Sequence, residues 1–230
     1  MPLGRLLTTR PLDDGRTAVV VVTDRSDGDL RIDLNPDVLA RRREALTPHR
    51  WTWLEQVHGP RVVTVPSPGA GAGVRADASV TGATGAALAV HTADCAPVGL
   101  IGLGGVVGVA HAGWRGLVAG VLGATVTAMR AAGAGRIVAV VGPCIHASCY
   151  DFGEDDLAEV AAALGDDVRA VSSTGGPALD LPAGVVADLG RSGVTEVSVD
   201  PRCTGCDEER FSHRVGGDRG RQALVAWIDS

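Results

Sequence analysis

The stretch Val98-Gly99-Leu100-Ile101-Gly102-Leu103-Gly104-Gly105-Val106-Val107-Gly108-Val109-Ala110 carries no charged side chain and one strong turn signal. Residues 98–103 and 106–110 are short, apolar and rich in branched side chains, so they read as buried strands. The glycine pair between them reads as a hairpin turn. With a two-residue turn, Leu103 faces Val106 and His111 faces Val98. Cys95 and His111 then leave the open end of the hairpin offset by three residues, roughly 10 Å at the rise of a strand. The hairpin thus carries a thiol and an imidazole to one edge of a sheet.

Outward from the hairpin, strands and helices alternate. Residues 86–90 and 137–141 read as buried strands. Residues 117–132 have helical length and stop at Gly133. Helix 155–164, strand 168–172, helix 182–191 and strand 196–199 follow, and residues 223–228 make a closing strand. On the N-terminal side, residues 19–23 form a β-branched strand that ends at the polar turn Asp24-Arg25-Ser26-Asp27-Gly28. Residues 36–46 fit a helix capped by Asn35 with Pro36 in its first turn. Strand pieces are expected around 51–59 and 61–65, followed by a Pro/Gly/Ala loop at 66–73. Composition does not change across that loop, so residues 1–230 are expected to form one α/β domain, a mixed β-sheet flanked by helices.

Composition narrows the chemistry. The chain has 230 residues, 21 bases against 27 acids, and every base is arginine. Without lysine there is no Schiff-base chemistry and no Walker-type phosphate loop. Seven aromatics (four Trp, two Phe, one Tyr) and a net charge of −6 argue against a nucleic-acid binder. The 32 glycines lie among valine and alanine runs rather than in a repeat. Residues 1–9 lack the charged-then-apolar layout of a leader, and the longest uncharged apolar stretch is too short and glycine-rich for a membrane span. Five cysteines without a leader fit a reducing, cytoplasmic setting.

Three segments concentrate reactive side chains: Glu55-Gln56-Val57-His58-Gly59, His91-Thr92-Ala93-Asp94-Cys95-Ala96-Pro97 and His111-Ala112-Gly113-Trp114-Arg115-Gly116. A thiolate with two imidazoles is a zinc-favouring set, and three protein ligands with an open fourth position mark a catalytic site. His58, Cys95 and His111 could supply it, although they match no compact zinc spacing. A Cys95–His111 nucleophile pair uses the same two residues. A buried cysteine packing as a small hydrophobe, with two satisfied histidines, is the bland alternative. Cys203-Thr204-Gly205-Cys206 is a lone CxxC, a weak redox or metal signal without a second pair. Arg25, Arg115, Arg214 and Arg221 are the candidate forks for phosphate or carboxylate.

Read together, these segments resemble the YfiH-like family, formerly labelled the laccase-domain or multicopper polyphenol oxidase family. The resemblance runs in order through Thr23-Asp24-Arg25, Gln56-Val57-His58-Gly59, Thr92-Ala93-Asp94-Cys95-Ala96-Pro97, His111-Ala112-Gly113-Trp114-Arg115-Gly116 and Gly142-Pro143-Cys144-Ile145. It continues through Cys149-Tyr150, Asp180-Leu181, Cys203-Thr204, Phe211-Ser212-His213-Arg214 and Gly220-Arg221-Gln222. It implies a YfiH-like fold and one zinc ion held by His58, Cys95 and His111. It implies a purine nucleoside phosphorylase acting on adenosine, inosine, guanosine and methylthioadenosine with inorganic phosphate as co-substrate. Adenosine deamination is implied as a second activity. Arg25 is expected to orient phosphate, which attacks C1′ of the ribose. In deamination, zinc would acidify the water that attacks C6. Asp94, beside a ligand, is the candidate for proton transfer or for orienting the site, or else a turn cap.

The chain departs from the family pattern in three places. The turn after Arg25 is reduced to Ser26-Asp27-Gly28, His213 stands where tyrosine is usual, and the segment at residues 30–35 is shortened. The laccase label conflicts with histidine arithmetic. A multicopper oxidase needs about ten histidines, commonly as His-x-His, whereas this chain has six and none are two apart. A cysteine hydrolase or amidase with a peptidoglycan-editing role is the competing enzyme class, and a non-enzymatic binding module is the third.

Overall fold

The computed structural model describes residues 4–230; the first three residues of the 1–9 segment, read as lacking a leader layout, lie outside the described residues. The strands, in chain order, are β1 (Arg5–Pro11), β2 (Thr17–Val22), β3 (Arg50–Glu55), β4 (Val62–Thr64), β5 (Val74–Arg75), β6 (Ala78–Thr81), β7 (Ala86–Thr92), β8 (Ala96–Gly102), β9 (Val106–Ala112), β10 (Ile137–Val141), β11 (Arg169–Val171), β12 (Pro177–Leu179), β13 (Val197–Val199) and β14 (Gln222–Asp229). The α-helices are α1 (Pro36–Leu46), α2 (Trp114–Val118), α3 (Val121–Ala131), α4 (Glu154–Leu164) and α5 (Leu181–Arg191). The architecture is mixed α/β, as the alternating pattern indicates, with the strands shared between two large sheets. One sheet has the order β1-β2-β14-β7-β3-β5 and the other β13-β10-β8-β9-β6-β4, while β11 and β12 form a separate ribbon. Both large sheets mix parallel and antiparallel pairs.

Side chains alternate between faces along each strand, and the cores follow that period of two. Val20, Leu88, Val90, Leu224 and Ala226 of the first sheet meet Ile101, Val107, Val109 and Val140 of the second in a core between the sheets. Val19, Val21, Ala87, Ala89 and Val225 point the other way and pack under Leu39 of α1. The far face of the second sheet, including Val98, Leu100 and Ala110, packs on α2 to α5. The layers are therefore helix, sheet, sheet, helices. Strands covered on both faces need no polar side, which explains the uninterrupted apolar runs.

Two expectations are corrected. In the hairpin, Gly102 pairs with Val106 and Pro97 with His111, one residue away from the two-residue-turn register. The loop is Leu103-Gly104-Gly105, with Gly105 at φ +95° donating its N–H to the Gly102 carbonyl. A left-handed glycine closing a three-residue loop is a standard alternative to a two-residue turn. The shift shortens the Cys95–His111 offset. The single helix expected over 117–132 is broken: α2 ends before Gly120, whose φ of +84° is left-handed. Gly113, at the start of α2, is already close against the reactive segments.

Candidate metal centre

His58 leaves the end of β3, Cys95 lies in the crossing from β7 to β8, and His111 sits on β9. Their ligand atoms all lie within 4.8 Å of one another. Cys95 Sγ is 3.8 Å from His58 Nε2, and the two imidazole rings meet edge to face at 4.8 Å. His58 is exposed, Cys95 partly covered and His111 buried, so the cluster is rooted in the second sheet and opens to solvent. Gly113 fits closely: a Cβ there would stand 2.9 Å from both Cys95 Sγ and His58 Cδ2. Only glycine leaves that space to the ligands.

Asp77, just before β6, organises the cluster and is absent from the sequence-based candidates. Its carboxylate accepts N–H groups from Val57 at 3.0 Å, His58 at 2.9 Å and Gly59 at 2.9 Å. The same carboxylate accepts His111 Nδ1–H at 2.9 Å. It thereby holds His58 at φ +57°, a conformation non-glycine residues rarely adopt. A carboxylate only accepts, so Nδ1 of His111 carries a proton and Nε2 is the nitrogen left to bind a metal. The signal that could have found Asp77 is a lone carboxylate between two alanines at the start of a buried strand.

The electrostatics give a thiolate beside an imidazolium, whose second proton a metal would displace from His111. Burial raises the Cys95 thiol, but adjacent His111 and then His58 outweigh it and bring the pKa down to about 6. Burial lowers His111, yet the Cys95 charge and the Asp77 hydrogen bond win and lift it to about 9. Asp77 is held below the usual carboxylate range: burial opposes ionisation, and the bonds from His111, Gly59 and Val57 overcome it.

Asp94 points elsewhere. Its carboxylate accepts the hydroxyls of Thr204 at 2.7 Å and Ser212 at 2.8 Å, and the Arg214 backbone N–H at 2.7 Å. Its own backbone sits at φ +99°, and its carbonyl accepts Ile145 N–H. It ties the β13–β14 loop at three points, and the loop after β10, to the turn that presents Cys95.

The four arginines divide into two pairs. Arg115 lies over Trp114 at 4.1 Å, and Arg214 lies over Tyr150 at 4.8 Å while donating to the Asp151 carbonyl. Phe152 joins Tyr150 and Trp114 through edge-on contacts, so these two cations flank one aromatic group. Arg25 and Arg221 converge instead on the 218–221 segment. Arg25 pairs with Asp218 at 2.5 Å, donates to the Arg210 carbonyl and lies over Phe211. Arg221 curls back onto the carbonyls of Asp218, Arg219 and Gly220. It also lines an open pocket with Arg31, Leu54, Gln56 and His91. Gln56 is locked there by paired 2.7 Å bonds with the His91 backbone.

Residues 21–229 match the family described as Multi-copper polyphenol oxidoreductase laccase. Purine nucleoside phosphorylase ORF3 of Streptomyces griseus is 46% identical over 195 residues, covering 83% of this chain and 79% of the relative. Purine nucleoside phosphorylase of Xylella fastidiosa (strain 9a5c) is 40% identical over 186 residues, covering 76% of this chain and 71% of the relative. Among solved structures, Neisseria meningitidis protein NMB0706 superposes with a TM-score of 0.84 at 30% identity, over 98% of this chain and 99% of that one. YlmD from Geobacillus stearothermophilus gives 0.81 at 26% identity, over 93% and 92%. The match takes in every segment that builds the His58, Cys95 and His111 cluster, and the chain belongs to the Multi-copper polyphenol oxidoreductase laccase family, the YfiH-like group its motifs resemble.

Proposed function

We propose that this chain is a zinc-dependent purine nucleoside phosphorylase with adenosine deaminase as a second activity. The observation that carries the reading is the His58–Cys95–His111 cluster with its Asp77-oriented imidazole, in a chain whose relatives bear the phosphorylase name. Two nitrogens and one soft sulfur suit zinc, and the exposed side of His58 leaves room for a fourth partner. Zinc bound there would supply Lewis acidity for charge developing on oxygen or on the departing base.

The protein's own groups do the rest. Asp77 fixes the His111 tautomer and the His58 loop. Arg115 and Arg214 offer forks for an oxyanion where they lie over Trp114 and Tyr150. In phosphorolysis a phosphate oxygen bonds to C1′ as the C1′–N bond breaks, and the base leaves with a proton, giving ribose 1-phosphate. In deamination, water replaces the C6 amino group of adenosine and ammonia leaves. Adenosine, inosine, guanosine and methylthioadenosine are the proposed substrates. No helix among the described residues is long and apolar enough to cross a membrane, and the five free cysteines fit the cytoplasm.

The test is direct. Zinc-loaded protein is incubated with a nucleoside panel, with and without phosphate, and products are identified by mass. Ribose 1-phosphate and free base only with phosphate, together with inosine from adenosine, support the reading. Full phosphorolysis by a Cys95→Ala variant overturns the zinc-centred scheme. A second reading has its own observation: Cys95 stands within reach of two imidazoles, the arrangement of a thiol nucleophile. Covalent labelling of Cys95 by an electrophile, in protein that carries no metal as purified and hydrolyses amides, would favour that hydrolase.

A further inference from the structure

The lone CxxC acquires a third thiol in three dimensions. Cys149 follows β10 by a short loop, and Cys203 and Cys206 lie in the loop between β13 and β14. The three sulfurs lie within 4.8 Å of one another, with Cys149 Sγ 3.0 Å from Cys206 Sγ. A metal–sulfur bond of about 2.3 Å puts ligand sulfurs about 4 Å apart, so only small side-chain rotations separate this triangle from a coordination shell. We propose that Cys149, Cys203 and Cys206 form a second metal site for a thiophilic closed-shell ion, Zn(II) or Cu(I), separate from His58, Cys95 and His111.

Three further observations support a built site. The backbone N–H of His146 donates to Cys203 Sγ at 3.3 Å, and the Ser148 hydroxyl donates to Cys149 Sγ at 3.8 Å, so thiolate charge meets donors. Gly205, between the paired cysteines, is pressed against Cys149: a Cβ there would stand 2.9 Å from Cys149 Cβ and 3.2 Å from its Sγ. The backbone N–H groups of Cys206 and Asp207 both donate to the Cys203 carbonyl, which turns the Cys206 thiol back toward Cys203. Cys203 is buried and Cys206 exposed, so the site has a rigid root and an entry side. Soft thiolates select zinc and monovalent copper over hard cations. After those rotations three sulfurs alone would complete trigonal Cu(I), and zinc would add a solvent oxygen. An ion there would join the loop after β10 to the loop whose Thr204 holds Asp94.

The experiment uses the full chain, reduced and handled without oxygen, with Zn(II) alone in one arm and Cu(I) alone in the other. A His58→Ala/His111→Ala background silences the first cluster. One equivalent of metal per chain is expected to remain in that background, with an ultraviolet thiolate-to-copper band in the Cu(I) arm. Adding Cys206→Ser, an exposed and conservative change, should abolish that equivalent, as should Cys149→Ser. Should the histidine background not fold, the same count runs on the unmutated chain: two equivalents, falling to one in Cys206→Ser with an unchanged circular dichroism spectrum. No second equivalent in either arm overturns the proposal. So does a second equivalent retained in both Cys149→Ser and Cys206→Ser, which places that ion elsewhere.

Discussion

Asp77 shows how much a single side chain outside the ligand set decides. Both of its oxygens accept N–H groups, from three consecutive loop residues and from His111. In Asp77→Asn an amide NH2 replaces one acceptor and faces donors, so the His58 loop and the His111 tautomer both loosen. Metal affinity is expected to fall about 10–100-fold with the fold retained, read by chelator competition beside circular dichroism. Unchanged affinity would mean that the cluster does not depend on Asp77. His91 supports a different test. It is 5% exposed and neither ring nitrogen has a hydrogen-bond partner among the described residues. Burial first, then the charges of Arg43, His111 and Arg221, depress its pKa from 6.5 to about 3. The folded state therefore favours the neutral ring, and its contribution is complete above pH 6.5 and is lost as pH falls toward 3. His91→Asn, which does not titrate, should shrink the stability difference between pH 7 and pH 5 by about 2 kcal/mol, measured by urea unfolding at both pH values. An equal difference in both proteins would rule out His91 as the titrating group. At this scale the grouping of His58, Cys95 and His111 was legible because His and Cys are rare and chemically distinctive. Asp77 was not, because one carboxylate among 27 acids becomes special only through the backbone N–H groups that converge on it.

Elements were legible where local signals and burial agree. Helix α1 starts at the Asn35 cap and runs Pro36–Leu46 as its sequence indicates, and β10 covers the apolar run Ile137–Val141. Strand β1 escaped notice because Arg5–Pro11 mixes polar and apolar residues, is largely exposed and carries a register shift between Leu6 and Thr8. Strand β6 is only Ala78–Thr81, with its serine and threonine buried among apolar neighbours. The hairpin register also escaped, because glycine pairs permit several turn lengths and the choice lies with packing across the layers. Gly99 on β8 marks that packing. A Cβ there would meet Val20 Cγ1 of the facing sheet at 2.8 Å and Val140 Cγ1 of the neighbouring strand at 3.3 Å, so the sheets come close where β8 lacks a side chain. Gly99→Ala is expected to destabilise by about 1–3 kcal/mol through overpacking, with a lower urea midpoint at an unchanged slope. A neutral or stabilising effect would show that the sheets can part at that point without cost.

At the scale of the whole molecule the candidate metal centre is a joint between layers. His58 follows β3 of the first sheet, His111 belongs to β9 of the second, and Cys95 lies where the chain crosses from one sheet to the other. The two sheets otherwise hold together through the apolar core between them. An ion bound by residues from both sheets binds the folded state and not the separated layers, so it stabilises by mass action. With free zinc at about 100 times its dissociation constant, the gain is about 2.7 kcal/mol. For a chain of this length that corresponds to a rise of about 5–10 °C in the unfolding midpoint. The measurement belongs in a Cys206→Ser background, where only the His58, Cys95 and His111 cluster responds. Chelation should then lower the midpoint by that amount, zinc should restore it, and His58→Ala should remove the response to both. A midpoint that shifts equally with and without His58 would place the stabilising ion elsewhere, and the joint between the sheets would rest on apolar packing alone.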